Sequence, residues 1–382
     1  MDVLVCGAGV AGAALAYWLR HHGFTPTVVE RAPRVRTGGY ATGLRGEALD
    51  VLDRMALLDQ VRALDLRLGD AAVPNPYAAL PVAIRATDVE ILRDDLAGLL
   101  YQATRQEVEY VFGDSIATLE QTDADVRVTF DRDRPRRFDL VAGADGLHSR
   151  TRSLAFGPQE RFVRHLGLYT AVFGLPGRLG AEDGGRVHRV PGKAAGVLAT
   201  REGARARAVL HFASGPLVYD RDDAGQHKHI VAERFTGQGR LVRRLLEELQ
   251  GTEGLFFEAN AQVEMDRWSS GRVVLVGDAG YCAAPSSGRG ASQALIGAYI
   301  LAGELAAGGG HARAFAAYER EMRGFVAEHQ QMGREGADQF FLGPPPREEF
   351  GRTTVARPHL VRLRNYAPGF ASERSSPGRA AR

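Results

Sequence analysis

The 382-residue sequence has little of what marks secreted, membrane and nucleic-acid-binding proteins. It has only two cysteines, Cys6 and Cys282, which argues against a disulfide framework and is typical of a reducing compartment. No apolar run approaches the roughly 20 residues of a membrane-spanning helix. The N-terminus enters a strand almost at once, which leaves no room for a signal or transit peptide. The formal net charge of +2 predicts no nucleic-acid partner. The sequence therefore favours a cytoplasmic protein with neither a membrane nor a nucleic-acid partner.

Glycine, by contrast, is abundant, and two glycine-rich segments follow apolar runs at opposite ends of the chain. The first is GAGVAG, from Gly7 to Gly12, directly after VLVC. The second is GDA, from Gly277 to Ala279, directly after VVLV, and it is followed by GRG at 288–290. Together, in this order, they predict that one large cofactor is held by both halves of the chain.

The first segment has the G-x-G-x-x-G spacing of a dinucleotide-binding turn between a strand and a helix. The first glycine permits the tight bend, the second lets the backbone approach a pyrophosphate, and the third lets the helix pack closely. The helix N-terminus offers free N–H groups to the phosphates, and an acidic residue ending the next strand accepts hydrogen bonds from a ribose diol. The residues predicted for this site are Gly7, Gly9, Val10, Ala11, Gly12 and Glu30.

The second segment favours FAD over NAD as the dinucleotide. An NAD dehydrogenase does not need a distant strand–Gly–Asp–Ala element, whereas a flavin extends its ribitol chain and ring system well beyond the adenosine pocket. Asp278, at an exposed strand end, is expected to accept hydrogen bonds from ribitol hydroxyls. Gly288 and Gly290 let the backbone pass along the ring system. The helix that opens near Ala291 is expected to aim its N–H groups at the pyrimidine edge, where negative charge collects on reduction.

The remaining pattern predicts an α/β fold, in which a Rossmann-like FAD-binding domain carries an inserted, mostly antiparallel sheet. The FAD-binding domain is predicted to be discontinuous (1–70, 91–160 and 266–336), with a substrate domain at 71–90 and 161–265 and a C-terminal segment at 337–382. The tail from Ser372 is predicted to be disordered. The other predicted bounds are a loop at 31–46, strands at 110–112, 126–130, 138–142, 169–175, 186–190, 196–200 and 206–212, and helices at 94–106, 229–250, 291–306 and 311–336.

Three motifs resemble the class A flavoprotein monooxygenases, the family of para-hydroxybenzoate hydroxylase and the tetracycline-inactivating monooxygenases. They are GAGVAG with its acidic strand end, DLVAGADG at 139–146, and the stretch from WSSGR at 268–272 through GDA to GRG. The likeness covers residue 1 to about 335. It implies further cofactor contacts at Arg31, Arg45, Arg93, Asp145 and Pro285.

The resemblance also implies the reaction. NADPH or NADH binds transiently and reduces the flavin, and the single G-x-G-x-x-G agrees with this. Reduced flavin takes up O₂ as a C4a-hydroperoxide, which hydroxylates or epoxidises a small aromatic, enolic or polyketide-like substrate in natural-product tailoring or degradation. The partners expected are that small molecule and no metal, in a monomer or a homodimer.

Several points stay open at the level of sequence. Two departures from the family pattern, Tyr281 after GDAG and Gly297 in the next helix, leave the positioning of the flavin unsettled. A flavin oxidase or dehydrogenase that inserts no oxygen, or a redox-silent FAD-binding protein, remains an alternative. The catalytic residue is unknown. The candidate bases are His165, His188, His211, His227 and His229.

Overall fold

The computed structural model describes residues 1–35, 40–67, 87–176, 188–198, 206–338 and 361–366. The strands are β1 (Asp2–Cys6), β2 (Thr25–Glu30), β3 (Ala41–Leu44), β4 (Val89–Leu92), β5 (Glu109–Phe112), β6 (Ile116–Gln121), β7 (Val126–Phe130), β8 (Arg136–Phe138), β9 (Leu140–Gly143), β10 (Val163–Leu175), β11 (His188–Val190), β12 (Lys193–Leu198), β13 (Ala206–Ala213), β14 (Leu255–Val263), β15 (Ser269–Ser270) and β16 (Val273–Leu275). The helices are α1 (Val10–His21), α2 (Glu47–Arg54), α3 (Leu58–Ala63), α4 (Arg93–Thr104), α5 (Arg150–Phe156), α6 (Ala224–Phe235), α7 (Arg240–Gly251), α8 (Asp278–Tyr281), α9 (Gly290–Ala306) and α10 (His311–Ala337), with 3₁₀ turns at Gln159–Arg161 and Pro285–Ser287.

A six-stranded sheet carries both glycine-rich segments, in the order β15-β16-β9-β1-β2-β5. The strands β16, β9, β1, β2 and β5 run parallel, and β15 is an antiparallel edge. Its central strands are apolar on both faces, as parallel strands buried on both sides require. Helices including α1 and α9 cover one face, and the small sheet β6-β7-β8 packs on the other. Because β1 and β16 end at the same edge, both glycine segments meet there.

A second, five-stranded sheet is antiparallel throughout, in the order β11-β12-β13-β10-β14. Apolar residues of one face, such as Phe173, Phe212 and Phe257, form a core with α6 and α7. Side chains of the other face, such as Val172 and Val209, pack toward Leu92 at the end of β4. This confirms the predicted α/β class with an inserted antiparallel sheet.

Four details of the predicted elements are wrong. The predicted loop at 31–46 contains β3, which pairs with β4. The predicted strand at 138–142 is two strands in different sheets, and the predicted helix at 229–250 is broken between α6 and α7, where Gly237 and Gly239 have positive φ. The strands β6 and β14 were not predicted at all.

Other predictions lie wholly or partly outside the described residues. They include most of the segment 71–90, the ends of the strands at 186–190 and 196–200, most of 337–382, and the tail from Ser372. The division into domains stays a prediction. Within the described ranges, no helix is both long and apolar enough to cross a bilayer.

Candidate active site

One cavity of about 1230 Å³ lies between the carboxyl edge of the parallel sheet and a face of the antiparallel sheet. Two groups of residues form its sides. We call Gly7, Gly9, Gly288 and Gly290 the glycine wall, and Thr170, His211, Phe256, Glu258 and Asn260 the sheet wall.

The first glycine turn is too tightly packed to accept side chains at two of its three glycines. Gly7 has φ +104°, and a Cβ there would lie 2.6 Å from the Ala144 carbonyl oxygen. A Cβ at Gly12 would lie 1.8 Å from the Gly7 carbonyl oxygen. Gly9 differs, since its Cβ would meet nothing closer than Arg93 Nη2 at 4.0 Å. Gly9 therefore faces open cavity, at the N-terminus of α1, where no side chain caps the helix.

Glu30, the acidic residue at the end of β2, contacts the backbone of the first glycine turn. The Glu30 carboxylate is buried, and its two oxygens accept hydrogen bonds from the backbone N–H groups of Ala8 and Ala32, each at 2.9 Å. Arg31, largely exposed, forms an ion pair with Asp222 at 3.5 Å, which links this end of the cavity to the loop before α6. All three charged side chains lie on the cavity wall.

Opposite charges face each other in the middle of the cavity. Burial raises the pKa of the Asp278 carboxyl, and the nearby Arg93 guanidinium opposes that shift. Burial also raises the pKa of the Tyr40 hydroxyl to about 12, again opposed by Arg93, which lies 6.0 Å from the centre of the Tyr40 ring. The expectation of an exposed strand end is wrong for Asp278, which is the first residue of α8 and is half-buried.

The second glycine segment is held in place by a buried arginine. Arg45 Nη1 donates to the Gly288 carbonyl at 3.1 Å, Nη2 bonds Glu90, and Nε lies 3.3 Å from Asp88. Burial raises the pKa of the Glu90 carboxyl, and Arg45 opposes it. Gly288 adopts the left-handed conformation at φ +61°, and α9 then begins at Gly290 with no side-chain cap. A second uncapped helix N-terminus therefore opens onto the same cavity.

The carboxylate of Asp145 is hydrogen-bonded to the start of the helix that follows it. Its carboxylate accepts hydrogen bonds from Ser149 Oγ at 2.5 Å and from Thr151 N and Oγ1 at 2.8 and 3.0 Å, at the start of α5. Burial raises its pKa, and these bonds oppose the shift. The carboxylate thus stabilises the helix N-terminus, while the residue as a whole still lines the cavity.

Most of the residues predicted from the sequence meet on this cavity. Those on its wall are Gly7, Gly9, Glu30, Arg31, Arg45, Arg93, Asp145, Asp278, Pro285, Gly288 and Gly290. Val10, Ala11, Gly12 and Ala291 lie behind it, in the first turns of α1 and α9. Their contacts with a cofactor stay predictions. Among the described residues, no cluster of histidine, cysteine and carboxylate side chains is arranged to hold a metal ion.

Beside the candidate His211, the sheet wall carries three polar residues that the sequence did not single out, Thr170, Glu258 and Asn260. Thr170 on β10 pairs with His211 on β13 and with Glu258 on β14, so the three form a row across the sheet. Thr170 Oγ1 lies 2.9 Å from His211 Nδ1, and Glu258 Oε1 lies 3.0 Å from His148 Nε2. Strict alternation of apolar and polar residues from Phe257 to Val263 was the signal that could have found β14.

Of the five histidines predicted as candidate bases, two line the cavity, His211 and His227. Burial, with Arg189 nearby, lowers the pKa of His211 to about 4, so this imidazole is neutral at physiological pH. His227 lies in α6, and its Nε2 is 2.8 Å from the carbonyl oxygen of Asp220 in the loop before that helix.

The two departures from the family pattern are spatially linked. A Cβ at Gly297 would lie 2.1 Å from the Tyr281 hydroxyl oxygen, so the bulky ring occupies the space that glycine leaves. Tyr318 donates to that oxygen at 2.8 Å, and the buried ring of Trp268 packs against Tyr281 at 4.6 Å between centroids. Tyr281, the last residue of α8, thus packs into the core and is not among the residues that line the cavity.

A parallel sheet with a glycine turn, an acidic strand end and an uncapped helix at one cavity defines a dinucleotide-binding protein. The chain belongs to the FAD-binding domain family, whose model matches residues 1–332. The uncapped start of α1, the open space at Gly9 and the volume of the cavity all fit FAD.

Comparisons with known proteins agree with this family. The chain is 43% identical to an uncharacterised protein of Mycobacterium tuberculosis, over 95% of this chain and 99% of the relative. It is 36% identical to a flavin-dependent monooxygenase of Legionella longbeachae, over 90% of each chain. Its structure is similar to that of tetracycline destructase Tet(51), with a TM-score of 0.78 and 33% identity over 89% of this chain and 91% of that one.

Proposed function

We propose that the protein is an FAD-dependent monooxygenase that uses NADPH or NADH and O₂ to hydroxylate or epoxidise a small aromatic or enolic molecule. The observation that carries this proposal is that one cavity is bounded by both the glycine wall and the polar sheet wall. Its volume of about 1230 Å³ exceeds the roughly 300–1,000 Å³ of a typical single-ligand site, so there is room for a second molecule beside a flavin. The flavin-dependent monooxygenases among its relatives support the assignment.

FAD, when bound, would supply two-electron redox chemistry and reaction with O₂. The protein's part is to hold and orient it. We assign the N–H groups at the start of α1 to the pyrophosphate, Glu30 to the ribose and Asp278 to the ribitol chain, with Arg93 beside it. The uncapped start of α9 would face the pyrimidine edge, where its partial positive charge stabilises added negative charge.

We assign the substrate to the sheet wall and the acceptor of its hydroxyl hydrogen bond to His211. A neutral imidazole can accept a hydrogen bond from a phenol or enol hydroxyl, which makes the substrate carbon more electron-rich, while a pKa of about 4 makes it a weak base for full proton transfer. The hydrogen bond between Thr170 and His211 Nδ1 fixes the ring, and the low pKa keeps it neutral above about pH 5. The overall balance is substrate, O₂ and NAD(P)H with one proton giving hydroxylated substrate, water and NAD(P)⁺.

The deciding experiment follows the oxygen atom. Holoenzyme is reduced anaerobically with NADPH or NADH, mixed with ¹⁸O₂ and an aromatic or enolic compound, and the product is weighed by mass spectrometry. Tetracycline is the first compound to try, because Tet(51) is named for acting on it. One ¹⁸O atom per product molecule is expected. An oxidised product without the label would establish an oxidase or dehydrogenase, and flavin that no nicotinamide reduces would indicate a redox-silent protein.

A variant tests this hydrogen bond. His211→Leu, which has no acceptor, is expected to lower turnover about tenfold, the order of one lost buried hydrogen bond, while FAD binding stays unchanged. The loss should shrink as the pH rises toward the pKa of the substrate hydroxyl, because the substrate then ionises unaided. Thr170→Val, which removes only the contact that orients the ring, should have a smaller effect. A loss that is the same at every pH would argue against a hydrogen bond to the substrate hydroxyl.

Cytoplasmic location and the monomeric or dimeric state stay predictions.

A further inference from the structure

The loop between α8 and α9 contains an unusual backbone conformation on the cavity wall. Ala284 has φ +72° and ψ +150°, a region that residues other than glycine rarely occupy. Its side chain is buried, and Ala283, Ala284, Pro285 and Gly288 all line the cavity. A strained alanine persists only where its surroundings hold it, so the contacts of this loop must keep Ala284 in this conformation.

Two amide side chains of β14 hold the loop on either side of Ala284. Asn260 Oδ1 accepts a hydrogen bond from the Ser286 backbone N–H at 3.0 Å, and Asn260 Nδ2 donates to Ser286 Oγ at 2.9 Å. Gln262 Nε2 donates to the Ala283 carbonyl at 3.0 Å. Both amides are fully buried, which is unfavourable unless their hydrogen bonds are made.

The long helix α10 presses on the loop from the opposite side. A Cβ at Gly333 would lie 2.1 Å from the Ala283 carbonyl oxygen, and one at Gly336 would lie 2.7 Å from the Ser286 carbonyl oxygen. Ser286 Oγ in turn donates to the Gly333 carbonyl at 2.6 Å. The loop is therefore clamped between β14 and α10, with the strained residue between the two clamped peptides.

We infer that Asn260 is a positioning residue whose double hydrogen bond to Ser286 keeps Ala284 in its strained conformation and so sets the flavin-facing wall at Pro285–Gly288. That this wall faces the flavin rests on the proposed function. Asn260 shares one face of β14 with Phe256 and Glu258, which line the same cavity. One strand thus fixes both the sheet wall and the loop opposite the first glycine turn.

The test is a rescue experiment on the full-length protein. Asn260→Ala is expected to raise the FAD dissociation constant about tenfold, the order of one lost buried hydrogen bond or one strained residue, and to lower the melting temperature of the apo-protein. Ala284→Gly removes the backbone penalty, because glycine adopts positive φ freely. The double variant should therefore bind FAD within about threefold of Ala284→Gly alone and regain most of the lost melting temperature.

Ala56→Gly is the matched control, since Ala56 also has a positive φ, +55°, in an exposed turn away from the cavity. It should not rescue Asn260→Ala. Equal rescue by both glycines, or no rescue by Ala284→Gly, would overturn the inference. If Asn260→Ala does not fold, Ser286→Ala is the second variant: it keeps the backbone bond to Asn260 Oδ1 and removes both bonds of Ser286 Oγ, to Asn260 Nδ2 and to the Gly333 carbonyl. Its loss of FAD affinity should also be rescued by Ala284→Gly. Failure of the wild type to bind FAD would instead refute the proposed function, and the melting temperatures would still test the clamp.

Discussion

The two walls of the cavity are built by opposite means. The glycine turn that carries Gly7 and Gly9 of the glycine wall depends on side chains that are absent, because the carbonyl oxygens of Ala144 and Gly7 occupy the space where the Cβ atoms of Gly7 and Gly12 would lie. The sheet wall depends on side chains that are present, such as the pair Thr170 and His211. Where the backbone leaves no room for a Cβ, only glycine fits, so the sequence must have glycine at that position and shows a fixed motif. A polar side chain that lines a sheet has only to lie on the correct face of its strand. In the sequence it therefore appears only as an alternation of residue types with a period of two.

If this contrast is right, the largest effect comes from a side chain added inside the glycine turn. Gly12→Ala places a Cβ 1.8 Å from the Gly7 carbonyl oxygen, so the turn and α1 must move apart. We expect the free energy of unfolding of the apo-protein to fall by about 3 kcal/mol or more, measured by urea denaturation. Gly98→Ala is the control, because a Cβ there meets nothing within 4 Å in α4 and alanine favours a helix by up to about 1 kcal/mol. A Gly12→Ala protein as stable as the wild type would contradict the close packing.

The next effect separates FAD binding from folding within the same glycine turn. Gly9 has φ −75° and ψ −172°, which any residue adopts, and its Cβ would face the open cavity. Gly9→Val should therefore leave the unfolding of the apo-protein nearly unchanged while it raises the FAD dissociation constant about 100-fold, as the valine occupies space beside the phosphates. Titration of the apo-protein with FAD, followed by flavin fluorescence, measures this. Full flavin retention would mean that the phosphates lie elsewhere.

The same contrast explains which parts of the molecule were predictable. The unit β1–α1–β2, both glycine segments and Glu30 follow from the sequence, because a buried parallel strand, a tight turn and a helix start each restrict residue type locally. Most of the predicted site residues accordingly lie on the cavity.

The rest depends on contacts between residues far apart in the chain. Asn260 is 26 positions from Ser286, and nothing near Ala284 in the sequence indicates a positive φ. Nor does the sequence alone show that Tyr281 fills the space beside Gly297. The turn glycines Gly237 and Gly239, in contrast, were visible breaks in a predicted helix that periodicity alone had joined.

The smallest effect is a pH dependence that belongs to the sheet wall. Burial lowers the pKa of His211 to about 4, against an ordinary value near 6.5 in the unfolded chain. Between these two values the unfolded chain binds a proton that the folded protein excludes. The free energy of unfolding should therefore fall as the pH falls from about 6.5 toward 4, with this residue contributing up to roughly 1.4 kcal/mol per pH unit.

His211→Asn should flatten that part of the stability curve, measured by urea denaturation of the apo-protein at a series of pH values. Thr170→Val is the matched variant, since it removes the hydrogen bond to Nδ1 but keeps the titrating group. Thr170→Val should lower the free energy of unfolding at every pH and leave its slope against pH unchanged. His329 also lies buried, with Arg289 and Arg45 nearby and its pKa lowered to about 3, so part of the acid dependence should persist in His211→Asn. If His211→Asn and Thr170→Val gave curves of the same slope, His211 would not be the buried neutral imidazole on which its assignment as hydrogen-bond acceptor depends.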